Sequence, residues 1–457
     1  MVIFLSCKEN DKKEENTPSI LNLSHLDYLG EVVNYAGQEL RIVHIYANAP
    51  DYEWVGDDDE GDACVDDAAR AAVVYLRHYE LMGEVESAEK AKQLLRFIMY
   101  MQTDKGLFYN FVWSKDLQIN TTHQNSKADE LNWWAARAVW ALGTGARVLA
   151  EYDSTFANAC LTSIDRTMPE IQKILSSFPA TKTVNGYAMP TWLIGESGSD
   201  ASSELLLGLA EVEKVAPNEE YSSAINKISE GIALMQYGNL SEAPYGAHLS
   251  WEESWHGWGN SQTMALAEAG NLESAVFEAN NFYPWLLVNG WIHSFELQNP
   301  QNTRQFEQIA YAARGVAVGL IRLYEVTQND NYAIMAGLAA SWFNGNNVTN
   351  TKMYNSLYGY GYDGINNALS VNKNSGAEST IEADMTILEV EQYALSKKWF
   401  NATSQEPQTI TKNEKTYRYR TFAAKNNGKS ETIAILLNLT DATYSIINES
   451  ELNDLIN

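Results

Sequence analysis

Six segments of this chain read as helices that are apolar on almost every side. They are DDAARAAVVYLRHYEL from Asp66, ELNWWAARAVWALGTGARVLA from Glu130, DASSELLLGLAEVEKV from Asp200, NSQTMALAEAG from Asn260, QFEQIAYAARGVAVGLIRLYEV from Gln305 and GAESTIEADMTILEVEQYAL from Gly376. A helix of that kind has to be buried all round. Between them lie amphipathic stretches, with apolar residues at three- and four-residue spacing, at about 21–41, 84–103, 154–177, 218–237, 272–286 and 329–343. From Leu21 to about Phe400 β-alternation is rare, and the pattern predicts twelve helices in six pairs.

Three of the buried runs repeat one phrase: AARAAVVYL, AARAVWAL and AARGVAVGL. In the second and third, an acid precedes the arginine by seven residues, Glu130 before Arg137 and Glu307 before Arg314. Seven residues is nearly two turns, which puts acid and base on one helix face. In the first run, Asp66 and Asp67 stand one turn before Arg70. Repeats in register point to one helical hairpin used six times.

Six such hairpins suggest a closed ring, with parallel inner helices and outer helices returning around them. Polar residues gather at the N-terminal ends of the inner helices: Asp66, Asp67, Asp129, Glu130, Asp200, Asn260, Gln262, Glu307, Gln308 and Glu378. In a parallel ring these ends share one mouth. The segments leading into it are long and aromatic, such as DYEWVGDDDEGDA and SWEESWHGWG, whereas those at the far end are short. Long loops on one face of a rigid scaffold commonly carry function.

A single acid at a helix N-terminus can be a simple cap. Several acids at one mouth raise one another's pKa and can supply a protonated carboxyl beside an ionised one. Glycoside cleavage uses that pair. Glu378 stands in NSGAEST among residues small enough to let a ligand approach. The reading takes Glu378 as general acid and Asp67 or Glu130 as base, with Arg70 and Gln308 binding or orienting. Asp66, Asp129 and Glu307 join them at the mouth. Trp54, Trp113, Trp192, Trp251, Trp255, Trp258 and Trp291 lie on or near the mouth loops, where an indole face can stack on a sugar ring. Trp133, Trp134 and Trp140 are expected in the core. His256, inside WEESWHGWG, binds a sugar hydroxyl or a loop carbonyl.

The formal net charge of −27 argues against nucleic acid as partner and is compatible with a neutral or basic small ligand, such as an uncharged glycan. Cys7, Cys64 and Cys160 form no CxxC, so no zinc site is indicated, and a Cys64–Cys160 bridge is an option only in an oxidising compartment. The acidic run from Gly56 to Asp62 reads as a solvated loop rather than an EF-hand calcium loop. No metal and no cofactor is expected. The start, MVIFLSCKENDKKEENTPS, resembles a bacterial lipobox and tether over residues 1–20, with Cys7 as the lipidated residue and a shortened leader. It implies a cell-envelope lipoprotein, with lipid anchoring as the only membrane contact. After Phe400, YRYRTFAA and ETIAILLNL read as two strands around KNNGKS, a short β appendage over 401–457.

The segments CVDDAARA, DELNWWAARAVWALG, QFEQIAYAA and NSGAEST resemble the DDxxRA, RALWALG, FDQQ-like and GAEST motifs of a glycosyltransferase-associated bacterial group. That group lies in the six-hairpin glycosidase superfamily. The fifth segment departs from it by carrying Glu307 where the group usually has Asp. The resemblance spans about 60–400 and implies an all-α fold, an (α/α)6 toroid, in a carbohydrate context. A glycoside hydrolase acting on a neutral oligosaccharide is the first expectation. The alternatives are a glycan-binding lipoprotein without turnover, and a polysaccharide lyase or sugar epimerase on the same toroid.

Overall fold

The computed structural model of the protein describes residues 19–426 and 429–457. Cys7 and its lipobox lie outside the described residues. The chain begins with a short helix, α1 (Ser24–Leu29), and a β-hairpin pairing Gly30–Tyr35 with Gln38–Val43. This corrects the helix expected over 21–41. The segment carries β-branched pairs, Val32–Val33 and Ile42–Val43, that favour strands, and its turn, Ala36–Gly37, takes positive φ at both residues, which suits a tight hairpin turn.

Six helical hairpins follow. The inner helices are α2 (Val65–Met82), α4 (Trp133–Val148), α6 (Ser199–Glu213), α8 (Gln262–Glu268), α10 (Ala310–Thr327) and α12 (Ala377–Val390). Each is followed by its outer helix: α3 (Val85–Tyr100), α5 (Ser154–Leu175), α7 (Glu219–Leu234), α9 (Leu272–Asn289), α11 (Asp330–Ala340) and α13 (Ala394–Trp399). The sixth outer helix therefore comes at the end of the array. Side-chain caps start several helices. Asn132 accepts from the Ala135 amide, Asp153 from Phe156 and Asn218 from Tyr221.

The inner helices pack in the cyclic order α2, α4, α6, α8, α10, α12 and back to α2, so the ring closes. The fold is an (α/α)6 toroid with C-terminal strands. Small residues set how tightly it closes. A Cβ on Gly143 would stand 2.3 Å from the Gly208 carbonyl oxygen, and one on Gly208 would stand 2.4 Å from that of Val139. Backbones of α4 and α6 thus meet where any larger residue would push them apart.

Loops at the mouth hold short antiparallel strands that the helical pattern of the sequence did not announce. One pair joins Ser254–His256 to Ser294–Glu296, and another joins Tyr46–Asn48 to Glu53–Val55. After the ring comes a five-stranded antiparallel sheet, richer than the two strands expected. Its central hairpin pairs Lys415–Asn426 with Lys429–Asn438. Thr403–Ser404, Gln408–Lys412 and Thr443–Asn448 flank it, and α14 (Glu449–Ile456) ends the chain. The sheet is tied to α9, where Arg418 Nε donates to Asn289 Oδ1 at 2.6 Å. Among the described residues no helix is long and apolar enough to cross a membrane.

Candidate active site

The N-terminal ends of the inner helices meet over a buried ring of alternating charges. Arg70 of α2 contacts Asp67 Oδ1 at 2.6 Å and Glu382 Oε1 of α12 at 2.9 Å. Arg314 of α10 holds the other Glu382 oxygen at 2.5 Å and donates to Ser261 Oγ, just before α8, at 2.9 Å. Arg314 also lies 3.8 Å from Glu204 of α6. Arg137 of α4 closes the chain, 2.6 Å from Glu204 and 3.1 Å from Asp66. Buried charges persist only when paired in this way. Burial opposes ionisation of Glu382, yet Arg314 and Arg70 outweigh it and hold its carboxyl below the usual range.

A second ring lies at the other end of the toroid. It unites Arg77, Glu80, Arg147, Glu211, Lys214, Glu268, Arg322, Glu325 and Glu389 around a cavity of about 230 Å³. Residue numbers rise from the first ring to the second along every inner helix, so all six run parallel.

Above the first ring opens a cleft with two lobes. The inner lobe, about 420 Å³, is lined by Asp66, Asn110, Phe111, Asn125, Trp133, Trp134, Arg137, Trp258, Ile309, Tyr311 and Glu378. The outer lobe, about 470 Å³, shares Trp133 and Trp258 with it and adds Asp200, Trp251, Glu252, Glu253, Ser254, His256 and Glu296.

Glu378 stands in the first turn of α12 with its side chain open to the inner lobe. Among the described residues its carboxyl has no hydrogen bond or ion pair. Enclosure by protein pushes it up to about 7; Arg70 and Arg137 oppose the rise, while Asp67 and Glu382 add to it. Asp66, the other acid of this lobe, pairs with Arg137 and accepts from Asn110 Nδ2 at 3.2 Å. Tyr311 bridges the floor. Its hydroxyl accepts from Arg70, and its ring lies under the Arg70 and Arg137 guanidiniums at 4.9 and 5.7 Å.

The structure brings together some of the sequence-predicted residues and separates others. Glu378, Asp66, His256 and Trp258 line the cleft, and Asp67 and Arg70 lie buried beneath it. Asp67 is held by Arg70 and by the Cys64 thiol at 3.2 Å, so it faces the ring rather than a ligand. Glu130 and Asp129 are exposed and outside both linings, because α4 starts only at Trp133 with Asn132 as its cap. Glu307 is likewise exposed, ahead of α10. Arg137 and Arg314 therefore pair with acids on neighbouring helices instead of the acids seven residues upstream.

Gln308 is buried, its amide donating to the Trp291 carbonyl and accepting from Trp342 Nε1, away from the cleft. Trp54 stacks on His44 at 3.8 Å and lines neither lobe. Trp255 is 1% exposed and packs against Phe282 and Phe295. Its strand alternates, so Trp255 turns to the core and His256 to the cleft. Cys64 and Cys160 are free, buried thiols. In the acidic loop, Asp57 Oδ1 accepts from the amides of Asp59 and Glu60, and Asp62 Oδ2 from that of Ser114. No cluster of three metal-binding side chains occurs among the described residues.

The small residues of NSGAEST admit the chain itself. A Cβ on Gly376 would lie 2.5 Å from the Ile45 carbonyl oxygen, and that carbonyl accepts from Ala377 at 2.9 Å. The sequence reading missed Tyr311, Asn110 and Glu204, and it placed Trp133 in the core although it lines both lobes. Glu382 was readable in principle, since it lies one turn beyond Glu378 on the same face.

No protein-family model matches the chain, and no curated protein matches it. Solved structures do. Cellobiose 2-epimerase from Bacillus thermoamylovorans B4167 superposes with a TM-score of 0.53 at 11% identity, covering 77% of this chain and 92% of its own. D-mannose isomerase gives a TM-score of 0.52 at 13% identity over 77% and 91% of the two chains. A sugar epimerase from a ruminal bacterium gives 0.51 at 14% over 77% and 92%. These likenesses are to the toroidal fold.

Proposed function

We propose that the protein is a carbohydrate-active enzyme, a glycoside hydrolase in which Glu378 is the proton donor. The observation that carries this reading is the Glu378 carboxyl, open to the inner lobe, without a partner among the described residues and held up to about 7. Near neutrality such a group can still give a proton to a leaving glycosidic oxygen. Asp66, across the same lobe, takes a proton from water as that water bonds to the anomeric carbon and the glycosidic bond breaks. Trp133 and Trp258 offer ring faces to the sugar and Asn125 an amide to its hydroxyls, while Asn110, bonded to Asp66 through both ends of its amide, orients that acid. The toroid's likeness to sugar epimerases and a sugar isomerase supports a saccharide as ligand.

Release of new reducing ends from a panel of neutral oligosaccharides tests it, with Glu378→Gln beside the wild type. Full activity in that variant would remove Glu378 from the mechanism. A second reading is epimerisation, favoured by His256, whose Nε2 lies 3.2 Å from Asp200 in the adjoining lobe. An imidazole so oriented can move a proton at a sugar carbon. Deuterium uptake from heavy water at that carbon, with no new reducing ends, would decide for it. A lipid anchor on Cys7 would place the enzyme at a bacterial cell envelope. Loss of membrane association in Cys7→Ser is the corresponding test.

A further inference from the structure

We propose that the outer lobe is a subsite for an amino sugar bearing a free ammonium group. This rests on the saccharide reading above and names the kind of unit that would sit beside the reacting one.

Three indoles, Trp133, Trp251 and Trp258, wall the lobe, and four carboxylates, Asp200, Glu252, Glu253 and Glu296, line it. Trp251 is 51% exposed, its ring presented to solvent in a cleft. No lysine or arginine is among the lining residues. Lys182 neutralises Glu252 from outside, and Asp200 is engaged by His256. The Glu253 and Glu296 side chains have no partner among the described residues. The paired strands Ser254–His256 and Ser294–Glu296 hold Glu296 beside Ser254.

His256 adds an independent sign. It lines the lobe, is only 7% exposed, and its Nδ1 has no hydrogen-bond partner among the described residues. With the proton on Nε2 toward Asp200, Nδ1 presents a lone pair. Imidazole and carboxylates alike are then acceptors. Hydroxyls of a neutral sugar both donate and accept, so a wall dominated by acceptors leaves half of their capacity unmet. An ammonium has three donors and no acceptor, and its charge is favoured by carboxylates and by indole faces.

Calorimetry with a glucosamine tetrasaccharide, its N-acetylated form and the matching glucose tetrasaccharide tests this. The free amine should bind about tenfold tighter than the other two, and salt should reduce the difference. In Glu253→Gln/Glu296→Gln, and separately in Trp251→Ala, the three affinities should converge while the melting temperature stays put. Equal affinities in the wild type, or a preference that survives the double variant, would overturn the proposal. Competition by methylammonium as strong as by the amino sugar would remove the saccharide part of it. Turnover of the glucose oligomer without any amine preference would sink the subsite and leave the reaction standing. An amine preference with no turnover of any oligomer would do the reverse.

Discussion

Glu382 is shared by two arginines from different helices, with Arg70 Nη1 2.9 Å from one oxygen and Arg314 Nε 2.5 Å from the other. All three residues are buried. Replacing Glu382 by Gln would leave two enclosed guanidiniums facing a neutral amide. Urea denaturation of Glu382→Gln should show a loss of about 3–5 kcal/mol, because breaking a buried pair strands the remaining charge.

Glu378 sets a pH limb. Its folded pKa, about 7, lies above the ordinary 4.5, so the proton needed for catalysis is present below about 7 and lost above it. Hydrolytic kcat/KM should fall on the alkaline side with an apparent pKa near that value, and Glu378→Gln should lower it by about a hundredfold or more. The folded state also binds the extra proton between 4.5 and 7, so this group's contribution to stability declines as pH rises through that window. Glu378→Gln should therefore be at least as stable as the wild type above pH 7.

The opposite ring should govern acid stability. Burial opposes ionisation of Glu389, but Arg322 and Arg77 outweigh it and bring the carboxyl down to about 2 from 4.5. Its contribution is present above the unfolded pKa and lost as pH falls from about 4.5 through 2. Glu389→Gln should cost about 3 kcal/mol at neutral pH. Thermal melts across pH should show the gap between variant and wild type closing over that acid range.

Gly208→Ala would put a methyl 2.4 Å from the Val139 carbonyl oxygen. The obstacle is backbone, so α4 and α6 must separate. A loss of about 1–3 kcal/mol is expected from chemical denaturation.

Trp133 belongs to both lobes and stacks under Arg137 at 4.8 Å. Trp133→Ala should weaken saccharide binding by about five- to tenfold in calorimetry, the worth of one aromatic face. The same variant should leave the strands of the C-terminal sheet unaffected by circular dichroism.

By itself the sequence determined the number and order of the inner helices, because a run that is apolar all round has only one place to go. It also singled out Glu378 and Asp66 as acids at helix starts. Which acids share a cavity was decided by tertiary structure. Glu130 and Glu378 look alike as residues, and both are exposed, but α4 begins past Glu130 and leaves it outside the cleft, while the first turn of α12 opens Glu378 into the inner lobe. Strand alternation likewise separated Trp255 from His256, neighbours in the chain. The pairing of Arg137 with Glu204, or Arg314 with Glu382, depends on the packing of successive hairpins, and Arg70 meets Glu382, 312 residues away, only because the ring closes.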